Sequence, residues 1–198
     1  DSGITLGQHR VPRNTPQPYL RVANVHRARL VLTDIALLEA SSSEVAAQAL
    51  RKGDLLVVEG HANVNEIGRC AMADESIVGM LFQNHLFRLR PIRLTSEFSQ
   101  LWLNSTHAQA YWRFEAATSS GLNTINRTKL NRLGVAVPKS EEQYQIVSSE
   151  QAISFRLNHE CSVLEKLAAE KSALMDDLLT GRVRVTPLLT AENTPKSA

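Results

Sequence analysis

Six histidines, two cysteines and twenty carboxylates are the side chains from which this 198-residue chain could assemble catalysis. Their spacing assembles none. His9, His26, His61, His85, His107 and His159 fall into no His-x-x-x-His or related metal spacing, so each reads first as a solvated or satisfied side chain. Cys70 and Cys161 are too few and too distant for a disulfide framework or a zinc ligand pair. Asp54 with Glu59 comes nearest to the metal-holding carboxylates of a nuclease, but no lysine follows them. After Gly53, Asp54 is more simply a turn residue. There is no nucleophile elbow, no phosphate-binding glycine–lysine loop and no dinucleotide fingerprint. The expectation is a non-catalytic chain with no metal or cofactor of its own.

Arginine offers a different chemistry. It outnumbers lysine sixteen to six, a bias toward planar, bidentate recognition of phosphates and guanine edges. The net charge of +2 conceals blocks: +4 over residues 1–30, −5 over 31–75, +6 over 76–140, −5 over 141–180 and +2 beyond. Two basic blocks that fold onto one face would suit a polyanion. A mixed surface with local bunching accounts for the same blocks.

Three kinds of segment must position these side chains. Residues 1–138 look mixed. Strands are predicted at Tyr19–Val25, Leu55–Val58, Phe82–Leu94 and Leu130–Val137, from alternation or from short buried apolar runs. A short helix with a Ser43 cap is predicted over Ser41–Leu50, and one helix over Phe98–Glu115, broken by Ser119-Ser120-Gly121. Glu59–Gly68 has the polar, glycine-bounded composition of an exposed loop. Residues 139–181 read as one long helix. Ser140-x-x-Gln143 resembles a capping box, no glycine or proline intervenes up to Thr180, and Gly181 is a natural stop. Ile153, Leu157, Cys161, Leu164, Ala168, Met175 and Leu178 recur at spacings of mostly three and four, a coiled-coil seam that needs a partner. Residues 182–198 open with a basic segment and end in a tail of disordered composition.

No run approaches the roughly 20 apolar residues of a membrane span, and no secretory leader is visible, so a cytoplasmic compartment is expected. Opening on Asp1 rather than methionine points to a fragment or a trimmed chain.

Five segments carry a family resemblance. They are Pro18-Tyr19-Leu20-Arg21-Val22-Ala23-Asn24-Val25, then Gly53-Asp54-Leu55-Leu56-Val57-Val58-Glu59-Gly60 with Gly68-Arg69, then Ser120-Gly121-Leu122-Asn123-Thr124-Ile125-Asn126. Val137-Pro138-Lys139-Ser140-Glu141-Glu142-Gln143-Tyr144-Gln145-Ile146-Val147 and Leu178-Leu179-Thr180-Gly181-Arg182-Val183-Arg184-Val185 complete the set. In this order they resemble the specificity subunits of type I restriction–modification systems. Lys139 and Ser140 depart from the family's usual Pro-Pro-Leu-x-Glu-Gln pattern.

The resemblance implies an α+β fold: a mixed α/β target recognition domain followed by a single long C-terminal α-helix of coiled-coil type. It implies double-stranded DNA as ligand, with methyltransferase subunits and a restriction/translocase subunit as partners. S-adenosylmethionine, ATP and magnesium would bind in those partners. One unit is present where the family carries two with antiparallel helices. The chain is then either a half-subunit that forms a homodimer through its helix or one half of a longer chain.

Within that reading, Asn63 or Asn65 suits adenine and Arg27 or Arg69 suits guanine. Arg21, Asn24, His26, Arg29, Glu59, His61, Ser119, Ser120 and Asn123 are further candidates, with Arg88 and Arg127 as phosphate contacts. A solvated loop position competes with each assignment. Trp102, Tyr111, Trp112 and Phe114 could stack on bases, but their helical spacing favours core. A coiled-coil adaptor or a compact nuclease stays open as an alternative.

Overall fold

A computed structural model describes residues 1–116 and 123–186 of the chain. In chain order the elements are β1 (Pro16–Leu20), β2 (Val25–His26), β3 (Arg29–Leu30), β4 (Ala36–Glu39), α1 (Ser42–Gln48), β5 (Leu55–Val58) and β6 (Gly60–His61). There follow β7 (Cys70–Met72), β8 (Leu81–Phe82), β9 (Leu86–Leu89), α2 (Ser96–Asn104), α3 (Thr106–Ala116), β10 (Asn123–Thr124), α4 (Arg127–Arg132) and α5 (Ser140–Leu179). Two compact units result, residues 1–147 and 148–198. The first therefore extends past residue 138 and takes in the first two turns of α5.

Unit one is organised on β5, the centre of an antiparallel sheet ordered β7-β5-β9. Its four residues are all buried because both faces are covered, which is why the run is continuously apolar. Leu55 and Val57 enter one core with Ile67, Leu103 and Trp112. Leu56 and Val58, on the opposite face, enter a second core with Leu20, Val25, Phe82 and Leu86. A second sheet, β4-β1-β8, pairs β1 antiparallel to β4 and parallel to β8. Tyr19, Leu38 and Leu81 from this sheet form a third cluster with Ile4 and Ala40.

α2 covers the outer edge of β7. Gln100 Oε1 accepts the Met72 amide at 2.8 Å, while Asn104 accepts from the Cys70 amide at 3.0 Å and donates to its carbonyl at 2.8 Å. Spaced by four, these two amides lie on one face of α2 and satisfy backbone groups that a strand edge would otherwise leave unpaired.

Several sequence expectations are corrected. The strand at Tyr19–Val25 ends at Leu20, because Asn24 Oδ1 accepts the Arg21 amide at 2.8 Å and turns the chain into a 3-10 helix over Val22–Asn24. Ser41, not Ser43, caps α1, with Glu44 completing a capping box. Phe82–Leu94 is two short strands joined at Gln83–His85. Phe98–Glu115 is two helices: Ser105 has extended backbone, and its hydroxyl caps α3 by accepting the Ala108 amide at 3.3 Å. Leu130–Val137 holds no strand. Leu130 and Leu133, three apart, are buried as a helical turn buries them.

α5 does run uninterrupted for 40 residues, roughly 60 Å of rise. Gly181 ends it with a left-handed φ of 70°, and the Val183 amide reaches the Asp177 carbonyl at 3.1 Å. Its start is not a capping box. Gln143 is buried, accepts the Thr95 amide at 2.8 Å and donates to the Pro138 carbonyl at 2.9 Å. Beyond Val147, Ile153, Leu157, Cys161, Leu164, Ala168 and Met175 are exposed, and Leu178 is half-buried.

Candidate nucleic-acid interface

Two short strands far apart in sequence bring the candidate loops together. β10 pairs antiparallel with β6, setting Asn123 opposite His61 and Thr124 opposite Gly60. Gly60 permits this approach, because a Cβ there would lie 2.9 Å from Thr124 Cγ2 and 3.3 Å from the Asn123 carbonyl. The Ile125 amide then bonds the Glu59 carbonyl at 2.8 Å. Asn123 Nδ2 donates to the Ala62 carbonyl at 3.2 Å. Gly68 serves the same edge differently: at φ 66° it also makes room for the Trp112 ring, which a Cβ would meet at 2.2 Å.

The Glu59–Gly68 segment is ordered by its own polar groups. His61 Nδ1 accepts the Asn63 amide at 3.0 Å, so the neutral ring carries its proton on Nε2. Asn63 Oδ1 accepts the Asn65 amide at 3.0 Å and caps a 3-10 turn over Val64–Glu66. Asn63 and Asn65 are exposed.

Arg27 arrives from a third segment. β2 and β3 form a tight hairpin whose tip is Arg27-Ala28. Ala28 takes a φ of 57°, unusual for a residue with a side chain, and its amide is anchored on the Cys70 carbonyl at 2.8 Å. The Arg27 guanidinium donates to the Asn65 carbonyl. Burial pulls its pKa down, Glu66 opposes that shift, and the Arg69 and Arg113 charges add to it. Glu66 is in turn held below the usual carboxylate range, mainly by its hydrogen bond to Arg69.

The sequence candidates separate by burial. Asn24 is buried, donating to the Val31 and Asp34 carbonyls at 2.9 and 3.0 Å, so it closes a loop and faces no ligand. Arg69 is buried between Glu66 and the Val22 carbonyl, both at 2.8 Å. Arg88 is buried over the Phe82 ring, bonded to Asp1 Oδ2 at 2.8 Å and to the Ala49 carbonyl at 3.2 Å. These three were expected at DNA, but the fold buries them and bonds them within the chain, so their side chains do not reach the surface where a base would lie. Arg21 is partly committed, paired with Asp34 at 2.6 Å. Glu59 contacts His85 Nδ1 at 3.0 Å. His26 is half-buried, while Arg29 and Arg127 are exposed, the latter opening α4 behind its Asn126 cap. Ser119 and Ser120 lie outside the described residues.

One surface residue, Arg113, escaped the sequence reading, and Phe114 was expected in the core. Ala108, Trp112 and Ala116, spaced by four, are the buried face of α3. That phase turns Arg113 and Phe114 outward, with Phe114 83% exposed and the Arg113 charge felt at Arg27. The expected core position of Phe114 is thereby corrected, whereas Trp112 is fully buried. The spacing of the small residues around Trp112 was the available signal.

Among the described residues, no group of three His, Cys, Asp or Glu side chains is placed to hold a metal. Among them too, no helix is long and apolar enough to cross a membrane.

Fold and site thus define a class: a mixed α/β domain with basic and amide side chains gathered on short loops, continued by one long helix. The fold is that of the HsdS subunit from Thermoanaerobacter tengcongensis, with a TM-score of 0.63 at 14% identity over 81% of this chain and 41% of that one. A chain solved in work on complex assembly and conformational transition of the type I R-M system matches with a TM-score of 0.57 at 16% identity, over 93% of this chain and 45% of that one. In sequence, the chain is 29% identical over 132 residues to the type I restriction enzyme StySPI specificity subunit of Salmonella potsdam. That match covers 65% of this chain and 28% of the relative, so the chain spans less than half the length of these proteins. No protein-family model matches it. The resemblance to type I restriction–modification specificity subunits is carried by sequence and fold alike.

Proposed function

We propose that this chain is the DNA-recognition component of a type I restriction–modification system. It reads one half of a bipartite target and directs methyltransferase and restriction subunits to it. The chain itself performs no chemistry: methyl transfer and cleavage, with S-adenosylmethionine, ATP and magnesium, fall to those partners. A second copy, paired through α5, supplies the other half-site.

One observation carries this reading. Arg27, Asn65, His61 and Asn123 come from three segments distant in sequence and meet along one edge of unit one. An arginine, two amides and an imidazole on short, backbone-anchored loops are the donor and acceptor set that distinguishes base pairs in a major groove. Rigid presentation matters, because a base pair is discriminated only when donor geometry is held before contact.

The test is a salt titration of duplex binding, alone and with methyltransferase subunits. The isolated chain is expected to bind weakly, with a salt slope of about one per phosphate contact. Added subunits are expected to raise both affinity and discrimination. Binding that ignores salt would favour the adaptor alternative, and nanomolar discrimination by the chain alone would remove the need for partners.

A further inference from the structure

We propose that Phe114 is a wedge that enters a base step of the bound duplex from the minor groove. The chain then selects DNA by its deformability as well as by its base edges. The inference rests on the DNA-recognition reading above and adds to it a distortion and the residue that makes it.

α3 is firmly seated in unit one. Ser105 caps its start, and Ala108, Trp112 and Ala116 are buried along one face. The Trp112 ring lies against Gly68, and the helix packs on the 3-10 turn over Val64–Glu66. At about 100° per residue, Phe114 is turned roughly 200° from Trp112, straight away from the core. Phe114 is 83% exposed, and exposed Ala110, one turn earlier, is too small to cover it. A phenylalanine held in water on a seated helix gains by burial, and its surroundings decide what can bury it.

Those surroundings are cationic. Arg27 feels Arg69 and exposed Arg113 as like charges and Glu66 as an opposite one. On the other flank Tyr111 feels Arg132 and Glu115, and Lys129 donates to the Glu115 carbonyl. Among these groups cations outnumber carboxylates on both flanks of the ring. Duplex DNA answers both features, with phosphates for the guanidinium groups and stacked bases for the ring.

The order of side chains around α3 suggests the groove. With Arg27 and the amide-bearing loop in the major groove, Arg113, whose charge reaches Arg27, suits the phosphate backbone alongside. Phe114, one residue further round the helix, then meets the minor groove beyond that backbone. An apolar side chain inserted there unstacks a step and kinks the duplex toward the major groove, and so toward the reading loops. Unstacking is easiest at pyrimidine–purine steps such as TA and is resisted by stiff A-tracts. The ring thus confers selectivity at a step that no polar side chain has to read.

The experiment measures binding of the full chain to two short duplexes of identical composition, one of alternating TA steps and one an A-tract. The parent is expected to bind the alternating duplex about tenfold more tightly. Phe114→Ala should remove that preference, Phe114→Trp should keep it, and Arg113→Ala should weaken both duplexes alike. With a stacking-quenched fluorescent adenine analogue in the alternating duplex, emission should rise with the parent and not with Phe114→Ala. Circular dichroism checks that each variant is folded, as substitution at an exposed position allows. If both duplexes bind with a steep salt slope but the preference is absent, or survives in Phe114→Ala, the wedge falls and DNA recognition stands. If Phe114→Ala binds both duplexes as the parent does yet loses the methyltransferase subunits, the ring belongs to a protein interface and the wedge falls. A parent chain that binds neither duplex overturns DNA recognition and the wedge together.

Discussion

Gln143 accepts the backbone amide of Thr95 at 2.8 Å, and Thr95 in turn caps α2 by accepting the Phe98 amide at 3.1 Å. The first turns of α5 are thereby joined to the start of the helix that seals the β7 edge. Gln143 also donates to the Pro138 carbonyl, so its amide group is used on both sides while it is buried. Replacing it with Ala or Leu leaves the Thr95 amide unpaired, and either change is expected to cost about 1–3 kcal/mol. Urea unfolding checks this; equal stability of Gln143→Leu and the parent would show that the bond has no net value.

Arg88 and Arg127 should separate fold from ligand. Arg88→Ala removes a buried guanidinium that bonds Asp1 and the Ala49 carbonyl, and is expected to lower thermal stability by several degrees. Arg127→Ala, at an exposed position, should leave the melting temperature unchanged and lower the salt slope of DNA binding by about one. The reverse pattern would return Arg88 to the interface.

Acid should loosen the β4 side of unit one. Glu39 accepts the Arg13, Asn14 and Thr15 amides, and these bonds, the Arg13 amide first, lower its pKa from 4.5 to about 2. The Arg10 side chain, then the Ser41 amide, bring Glu44 to about 2 as well. A pKa depressed on folding contributes stability that is present above about pH 4.5 and lost as pH falls toward 2. Glu39→Gln is expected to flatten the stability–pH curve in that window. An unchanged curve would mean the bonds persist in the unfolded chain.

Readout should reside on the β6–β10 edge. Arg27→Ala or Asn63→Ala is expected to cost about 1–3 kcal/mol of specific binding and to relax one position of the methylated sequence. Arg113→Ala, whose charge is felt at Arg27, and Phe114→Ala, exposed beside it on α3, should also reduce binding without unfolding the chain. Methylome sequencing of the variants decides. A parental motif in every case would make these loops scaffold and move the reading surface toward residues 118–127.

Helix pairing should depend on the exposed seam. Leu157→Asp and Leu164→Asp are expected to weaken self-association at least tenfold, whereas Glu165→Ala should change it little. Light scattering across a concentration series measures the difference.

Pattern and punctuation in the sequence were enough for β5, for the length of α5 and for its stop at Gly181. A four-residue apolar run, 40 residues without glycine or proline, and a glycine free to take positive φ each act locally, through propensity and backbone sterics. The choice among polar side chains was not local. Arg27, Arg69 and Arg88 have the same intrinsic chemistry. One sits at a hairpin tip, one is paired with Glu66, and one lies over Phe82 within the N-terminal half of the fold. Gln143 matches a capping box in sequence, but Thr95, 48 positions away, takes its oxygen. Ser105 divides a helix that amphipathic spacing would have continued, because Asn104 is drawn to the backbone of Cys70. Hydrogen-bonding capacity belongs to the residue, but its partner is whatever tertiary packing brings within 3 Å, and burial then makes leaving that partner costly. The sequence therefore determined the buried strand β5, the length and stop of α5, and which side chains were able to read a ligand. Only the folded contacts decided which of them are left with donors to spare.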